Sequence, residues 1–192
     1  MEKAKKRYHA MRIVIDQELV ACVVDEWSAS HTDALYDINT KREEMSAALR
    51  RTRAYHLRSS VIAPADVVHT ESTKDILDCK DTALFDSFPK LRELIRQVGL
   101  VHSDGAGWQC LGRVFVTRLD ANQVIGRHTD SGHYFDVLHR FHLVLKSEGS
   151  SFCWDGRSQT LRKGEVWMVN NSVPHWVANG KEDRTHVIFD AV

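Results

Sequence analysis

The chain has 192 residues, 43% of them apolar, with 26 basic and 26 acidic side chains and a formal net charge of zero. That length fits one domain with a real core, and the apolar fraction excludes wholesale disorder. Zero net charge excludes a strongly basic nucleic-acid binder, and no run approaches the ~20 apolar residues of a membrane helix. Histidine is the uneven component. There are 11, and seven of them (His102, His128, His133, His139, His142, His175 and His186) lie in the second half.

The basic start (Lys3, Lys5, Lys6, Arg7) reads as a solvated terminus. The apolar stretch from Met11 to Ile15 is interrupted by Arg12 and ended by Asp16, so it does not read as a secretory signal. Leu19, Val20, Val23, Val24 and Trp27 recur at helical spacing and predict an amphipathic helix from Asp16, its N-cap, to Trp27. A second, highly charged helix is expected from about Asp33 to Arg50, with Arg50, Arg51 and Arg53 at its exposed end. Residues 55–62 read as extended. A third helix fits Phe88 to Val98, with Pro89 in its first turn and Gly99 ending it.

From about Trp108 the pattern changes to short strands. They are expected at Cys110–Leu119, Leu138–Leu145, Ser151–Trp154, Gln159–Leu161, Glu165–Val169 and Arg184–Asp190. Asp155-Gly156 is a type I′ hairpin signal between two of them. Such spacing suits an antiparallel sandwich or barrel. The expected organisation is one domain, 1–192, whose helical part (1–107) packs on a β core (108–192). The four cysteines (Cys22, Cys79, Cys110, Cys153) never form C-x-x-C, so separate reduced thiols and a cytoplasmic location are expected.

The chemistry centres on His128-Thr-Asp130. On extended backbone an H-x-D tripeptide puts imidazole and carboxylate on one side. His175 supplies a possible third ligand. Two histidines and one carboxylate with open positions opposite suit non-haem Fe(II), and zinc would tolerate them. Arg140, His142 and Val144 share one strand face, and Phe141, Leu143 and Leu145 the other. The polar face points either to water or into a barrel that binds a small dianion, for which Arg184 offers a planar fork. His186, in phase with Arg184, reads as a packed histidine. His133 and His139 flank the site in sequence.

At these residues the chain resembles the aspartyl/asparaginyl β-hydroxylase family of 2-oxoglutarate/Fe(II)-dependent oxygenases. The resemblance runs from about Val114 to Asp190. It rests on residues 115–130, Leu138-His-Arg-Phe-His-Leu143, Lys163-Gly-Glu-Val-Trp167, Asn170-Asn-Ser-Val-Pro-His175 and Arg184-Thr-His-Val-Ile-Phe-Asp190. It implies a mainly β fold with flanking helices: a double-stranded β-helix (jelly-roll, cupin-like) core under an N-terminal helical layer. It also implies Fe(II), 2-oxoglutarate as co-substrate, and O2.

Position by position, the resemblance implies that His128, Asp130 and His175 bind the metal. Arg184 and Thr117 would take the distal carboxylate of 2-oxoglutarate, and Arg140 and His142 its metal-side carboxylate. The animal members have glycine where this chain has Asp130 and use only two protein ligands; halogenating relatives lack the carboxylate to make room for chloride, so Asp130 implies hydroxylation over halogenation. Their membrane anchor and helical repeats are not expected here. The insertion at residues 131–136 lies in a loop expected close to the substrate. The implied reaction is hydroxylation of an unactivated C–H of an amino-acid side chain, with the Asp or Asn β-carbon the first guess, yielding succinate and CO2. The substrate is then a small molecule or a peptide, with no nucleic acid and no membrane involved. Rival readings are an oxygenase for another small molecule or a carrier-bound amino acid, a non-catalytic jelly-roll sensor, and a zinc hydrolase.

Overall fold

The structure, a computed structural model, describes residues 9–30, 37–38, 52–60 and 78–192. Two antiparallel sheets face each other. The larger has eight strands in the order β1 (Ala10–Ile13), β10 (Val166–Val169), β7 (His139–Lys146), β12 (Arg184–Ala191), β5 (Leu111–Leu119), β3 (Thr52–Ser60) and β2 (Asp37–Ile38), with β4 (Cys79–Asp81) also paired to β3. The smaller runs β6 (Val124–His128), β11 (His175–Ala178), β8 (Ser151–Trp154) and β9 (Arg157–Thr160). This is the jelly-roll core that the sequence predicts. Asp155 and Gly156 both take positive φ (40° and 73°) in the β8–β9 turn, as a type I′ turn requires.

Two helices cover the outer face of the large sheet. The first, α1 (Gln17–Ala29), starts at Asp16, whose carboxylate accepts the Glu18 amide at 2.9 Å. It buries Val20, Val23 and Val24, the predicted stripe. The second, α2 (Pro89–His102), has no side-chain cap of its own. Glu26 of α1 fills that role, its carboxylate accepting the Lys90 and Leu91 amides at 3.0 and 3.1 Å. That cross-helix cap locks α1 and α2 together over the sheet. A short 3-10 helix (Ala83–Ser87) precedes α2, and a one-turn helix, α3 (His133–Val137), lies between β6 and β7.

The alternation along β7 now has its explanation. Phe141, Leu143 and Leu145 join the core under the helices, whereas Val144 packs between the two sheets. Both faces of β7 are buried, so Arg140 and His142 point into the barrel and not to water. The outer core also takes Tyr55, Leu57, Val114, Val116, Val187 and Phe189 from β3, β5 and β12.

The structure corrects three expectations. The N-terminal part is not helical alone: β3, over the stretch that reads as extended, pairs with β5, and β1, a strand not expected from the sequence, pairs with β10, so strands from before residue 107 complete the large sheet. Gly99 does not end its helix, which continues to His102. The expected helix at 33–50 lies outside the described residues except at Asp37–Ile38, which is strand. The basic start at Lys3–Arg7 also lies outside them, as do Arg50 and Arg51; Arg53 is in β3 and pairs with Asp120 at 3.5 Å. The four cysteines form no disulfide. Among the described residues no helix is long and apolar enough to cross a membrane.

Candidate metal and dianion site

His128 closes β6 and His175 opens β11, and the two are direct cross-strand partners. Their ring centroids are 4.3 Å apart. Each ring is fixed by its own chain. His128 Nδ1 lies 2.8 Å from Gly126 O, and His175 Nδ1 lies 2.9 Å from Val173 O. A carbonyl only accepts, so both Nδ1 atoms carry the proton and both Nε2 atoms keep their lone pair for a metal. Phe152 stacks on His175 with centroids 5.2 Å apart and planes at 17°, which restricts its rotation.

Asp130 sits two residues beyond β6 and is held there by its amide, which donates to Asn171 O at 3.0 Å. One donor atom each from His128, Asp130 and His175 gathers within 4.8 Å, a cluster that could hold a metal ion. Burial would raise the Asp130 carboxyl, but the Arg140 guanidinium, aided by the two histidines and Asn171, overrides it and holds the group below the usual carboxylate range. His175 is pushed below the ordinary histidine value, chiefly by burial. The ligand set is therefore ready at neutral pH: a carboxylate and at least one imidazole that resists protonation.

The same cavity reaches inward to a second group of predicted residues. Thr117, Arg140, His142 and Arg184 line it together with all three candidate ligands. Arg184 is 5% exposed, and among the described residues no carboxylate pairs with it. Its pKa is pushed down to about 10 by burial alone. A buried cation without a counterion is costly, and an anionic ligand removes that cost. Arg140 differs. Its Nε and Nη2 donate to Asp190 at 2.8 and 3.0 Å, and its Nη1 donates to Asp130 at 2.6 Å. Three of its five N–H groups are thus engaged with carboxylates.

The seven residues to which the resemblance gives a metal or co-substrate role all line this one cavity. The sequence reading missed Asp190, Asn171 and Tyr134. Asp190 did carry a signal, since it falls in phase with Arg184 and His186 after the apolar run Val187–Phe189. His139 faces the other way and meets His102 edge-on, with ring centroids 5.6 Å apart. His133 is exposed on α3. Trp176 lies outside the barrel, half-buried, with the Arg127 guanidinium 5.8 Å from its ring.

The family model described as aspartyl/asparaginyl beta-hydroxylase matches residues 73–192, starting well upstream of the resemblance read from Val114. Among curated proteins none matches the sequence. The fold is similar to that of a 2OG-Fe(II) oxygenase family oxidoreductase from Burkholderia pseudomallei, with 14% identity, 97% of this chain and 85% of that one covered, and a TM-score of 0.65. It is also similar to a prolyl-4-hydroxylase from Pseudomonas putida, with 14% identity, 96% and 92% covered, and a TM-score of 0.54. At such identity the likeness to both is one of fold.

Proposed function

The chain belongs to the aspartyl/asparaginyl β-hydroxylase family of 2-oxoglutarate/Fe(II) oxygenases, and from that premise we propose that its barrel hydroxylates an unactivated C–H of an amino-acid side chain. The Asp or Asn β-carbon, in a free amino acid or a peptide, is the first substrate class to try. One observation carries the reading: a single cavity joins a His–Asp–His cluster, each imidazole holding its Nδ1 on a backbone carbonyl, to a buried arginine with which no carboxylate pairs among the described residues.

His128, Asp130 and His175 would hold Fe(II) on one face, leaving the opposite positions for ligands. When bound, Fe(II) and 2-oxoglutarate together supply the activation of O2, with succinate and CO2 as the co-products. Arg184, with Thr117 on the neighbouring strand, would receive the distal carboxylate of 2-oxoglutarate. His142 and Arg140, which line the same cavity, would contact the carboxylate nearer the metal. Phe115, Phe152 and Ile188 in the cavity wall exclude water from the space between. The protein's contribution is to fix ligands, neutralise one dianion and orient the substrate C–H.

The test is succinate formation by the purified protein given Fe(II), ascorbate and 2-oxoglutarate, with free Asp, free Asn and peptides containing them as substrates. Turnover well above that of Asp130→Ala, with one oxygen atom gained by the substrate, is the expected result. A protein that binds neither metal nor 2-oxoglutarate overturns the proposal.

A further inference from the structure

We propose that Asp190 is a positioning residue for the metal centre: acting through Arg140, it fixes which oxygen of Asp130 is offered to the metal. The proposal rests on the metal-site reading above and goes beyond it.

Asp190 lies at the inner end of β12, opposite Arg140 on β7, and is 1% exposed. Both of its oxygens are engaged. Arg140 Nε donates to Oδ1 at 2.8 Å and Nη2 to Oδ2 at 3.0 Å, a two-pronged contact that sets the plane of the guanidinium. With that plane set, Nη1 projects away from Asp190 and donates to Oδ2 of Asp130 at 2.6 Å. Asn171 Nδ2 donates to the same oxygen at 3.2 Å. Oδ2 of Asp130 is thereby held from two sides. Oδ1 is left facing His128 Nε2, 3.7 Å away. A free aspartate would sample several rotamers, whereas this one presents a single oxygen toward the imidazoles.

Charge gives the arrangement a second purpose. A lone buried arginine beside the ligands would repel an incoming dication. Asp190 offsets that charge and leaves Asp130 free to act as an anionic ligand. Asp190 is itself anchored by Tyr134 of α3, whose hydroxyl donates to Oδ2 at 3.1 Å and accepts the Arg113 amide at 2.8 Å. Tyr134 belongs to the insertion between Asp130 and Arg140, so this segment braces the ligand that precedes it.

The experiment uses the full chain and Co(II), titrated to millimolar concentration, in four proteins: wild type, Asp190→Asn, Asp130→Ala and the double variant. Loss of an outer partner of a ligand typically weakens metal binding by about 10–100-fold, and that is the loss expected for Asp190→Asn. In the Asp130→Ala background the same change should alter affinity less than about threefold, because no carboxylate remains to be positioned. The visible Co(II) spectrum should change in Asp190→Asn and stay unchanged by it in the Asp130→Ala background. Wild-type affinity in Asp190→Asn overturns the proposal, and so does an equal loss in both backgrounds, which would mark a purely structural role. If Asp190→Asn fails to fold, Tyr134→Phe takes its place. Removing that one hydrogen bond should weaken Co(II) binding severalfold with Asp130 present and not without it, and an unchanged affinity overturns the proposal. A wild-type protein that binds no Co(II) instead removes the reading on which the proposal rests.

Discussion

Arg184 and His186 stand two residues apart on the inner face of β12, with Arg184 Nε donating to His186 Nε2 at 3.0 Å. The imidazole is fully buried and adds no charge of opposite sign. The arginine is therefore held in place without being neutralised, which leaves its charge available to a ligand.

Arg184→Met should consequently separate co-substrate binding from metal binding. A hydrogen bond to a charged group contributes roughly 1.5–3 kcal/mol, so losing even one weakens 2-oxoglutarate binding at least about tenfold. Arg184→Lys keeps the charge but loses the planar fork and should fall between. Titrating 2-oxoglutarate into the Co(II) protein reads this directly, while Co(II) affinity itself stays as in wild type. The thermal midpoint of Arg184→Met without ligands should not fall, because the variant removes an uncompensated buried charge. An unchanged affinity for 2-oxoglutarate would remove Arg184 from the site.

Acid should destabilise the metal-free protein in a defined window. His142 and His186 are wholly buried, and burial first, then Arg184, pushes both well below the ordinary histidine pKa. In the unfolded chain each titrates near 6.5. Below that pH the unfolded state takes up protons that the native state refuses, so stability falls as pH falls, by up to about 1.4 kcal/mol per pH unit for each histidine. Asp130 is held below its usual value, so its contribution is present at neutral pH and is lost only below about pH 4. Urea unfolding should therefore show stability level above about pH 7.5 and declining between about 6.5 and 5. His186→Gln should make that decline shallower, and an identical slope in the variant would refute the assignment.

The candidate H-x-D pair and most strands of the core were legible because they are local, whereas His175 and Arg184 join them only through the resemblance and the pairing of β11 and β12. Period-two alternation and H-x-D spacing survive in a short window of sequence. What escaped depends on distant chain segments. Ala10–Ile13 is only four residues long and becomes a strand by pairing with Val166–Val169. Asp190 closes the predicted strand Arg184–Asp190, and its phase with Arg184 does not name its partner; its register opposite Arg140 does.

Gly99 failed for the same reason and yields a prediction of its own. Glycine near a helix end normally signals a stop. Here it makes room for Trp108, whose ring atoms would lie 2.8–2.9 Å from an added Cβ. Trp108 Nε1 also donates to Ile95 O at 2.8 Å, so the indole has little freedom to retreat. Alanine gains about 1 kcal/mol of helix propensity, but overpacking typically costs about 1–3 kcal/mol. Gly99→Ala should therefore lower the thermal midpoint despite improving the helix. A stabilised variant would show that Trp108 can move.

Gly112 tests the brace between α3 and the candidate metal ligands. An added Cβ there would overlap the Tyr134 hydroxyl, lie 2.6 Å from Leu138 Cδ1 and approach Asp190 O at 3.1 Å. Overpacking of this kind costs about 1–3 kcal/mol, or roughly 2–12 °C in thermal midpoint for a chain of this size. Gly112→Ala should lose that stability. Tyr134→Phe deletes the oxygen that the new methyl group meets, so the double variant should recover part of the loss, while Leu138 and the Asp190 carbonyl keep the recovery incomplete. Full additivity of the two single changes, measured by thermal unfolding, would mean that Tyr134 is displaced freely and does not brace the site.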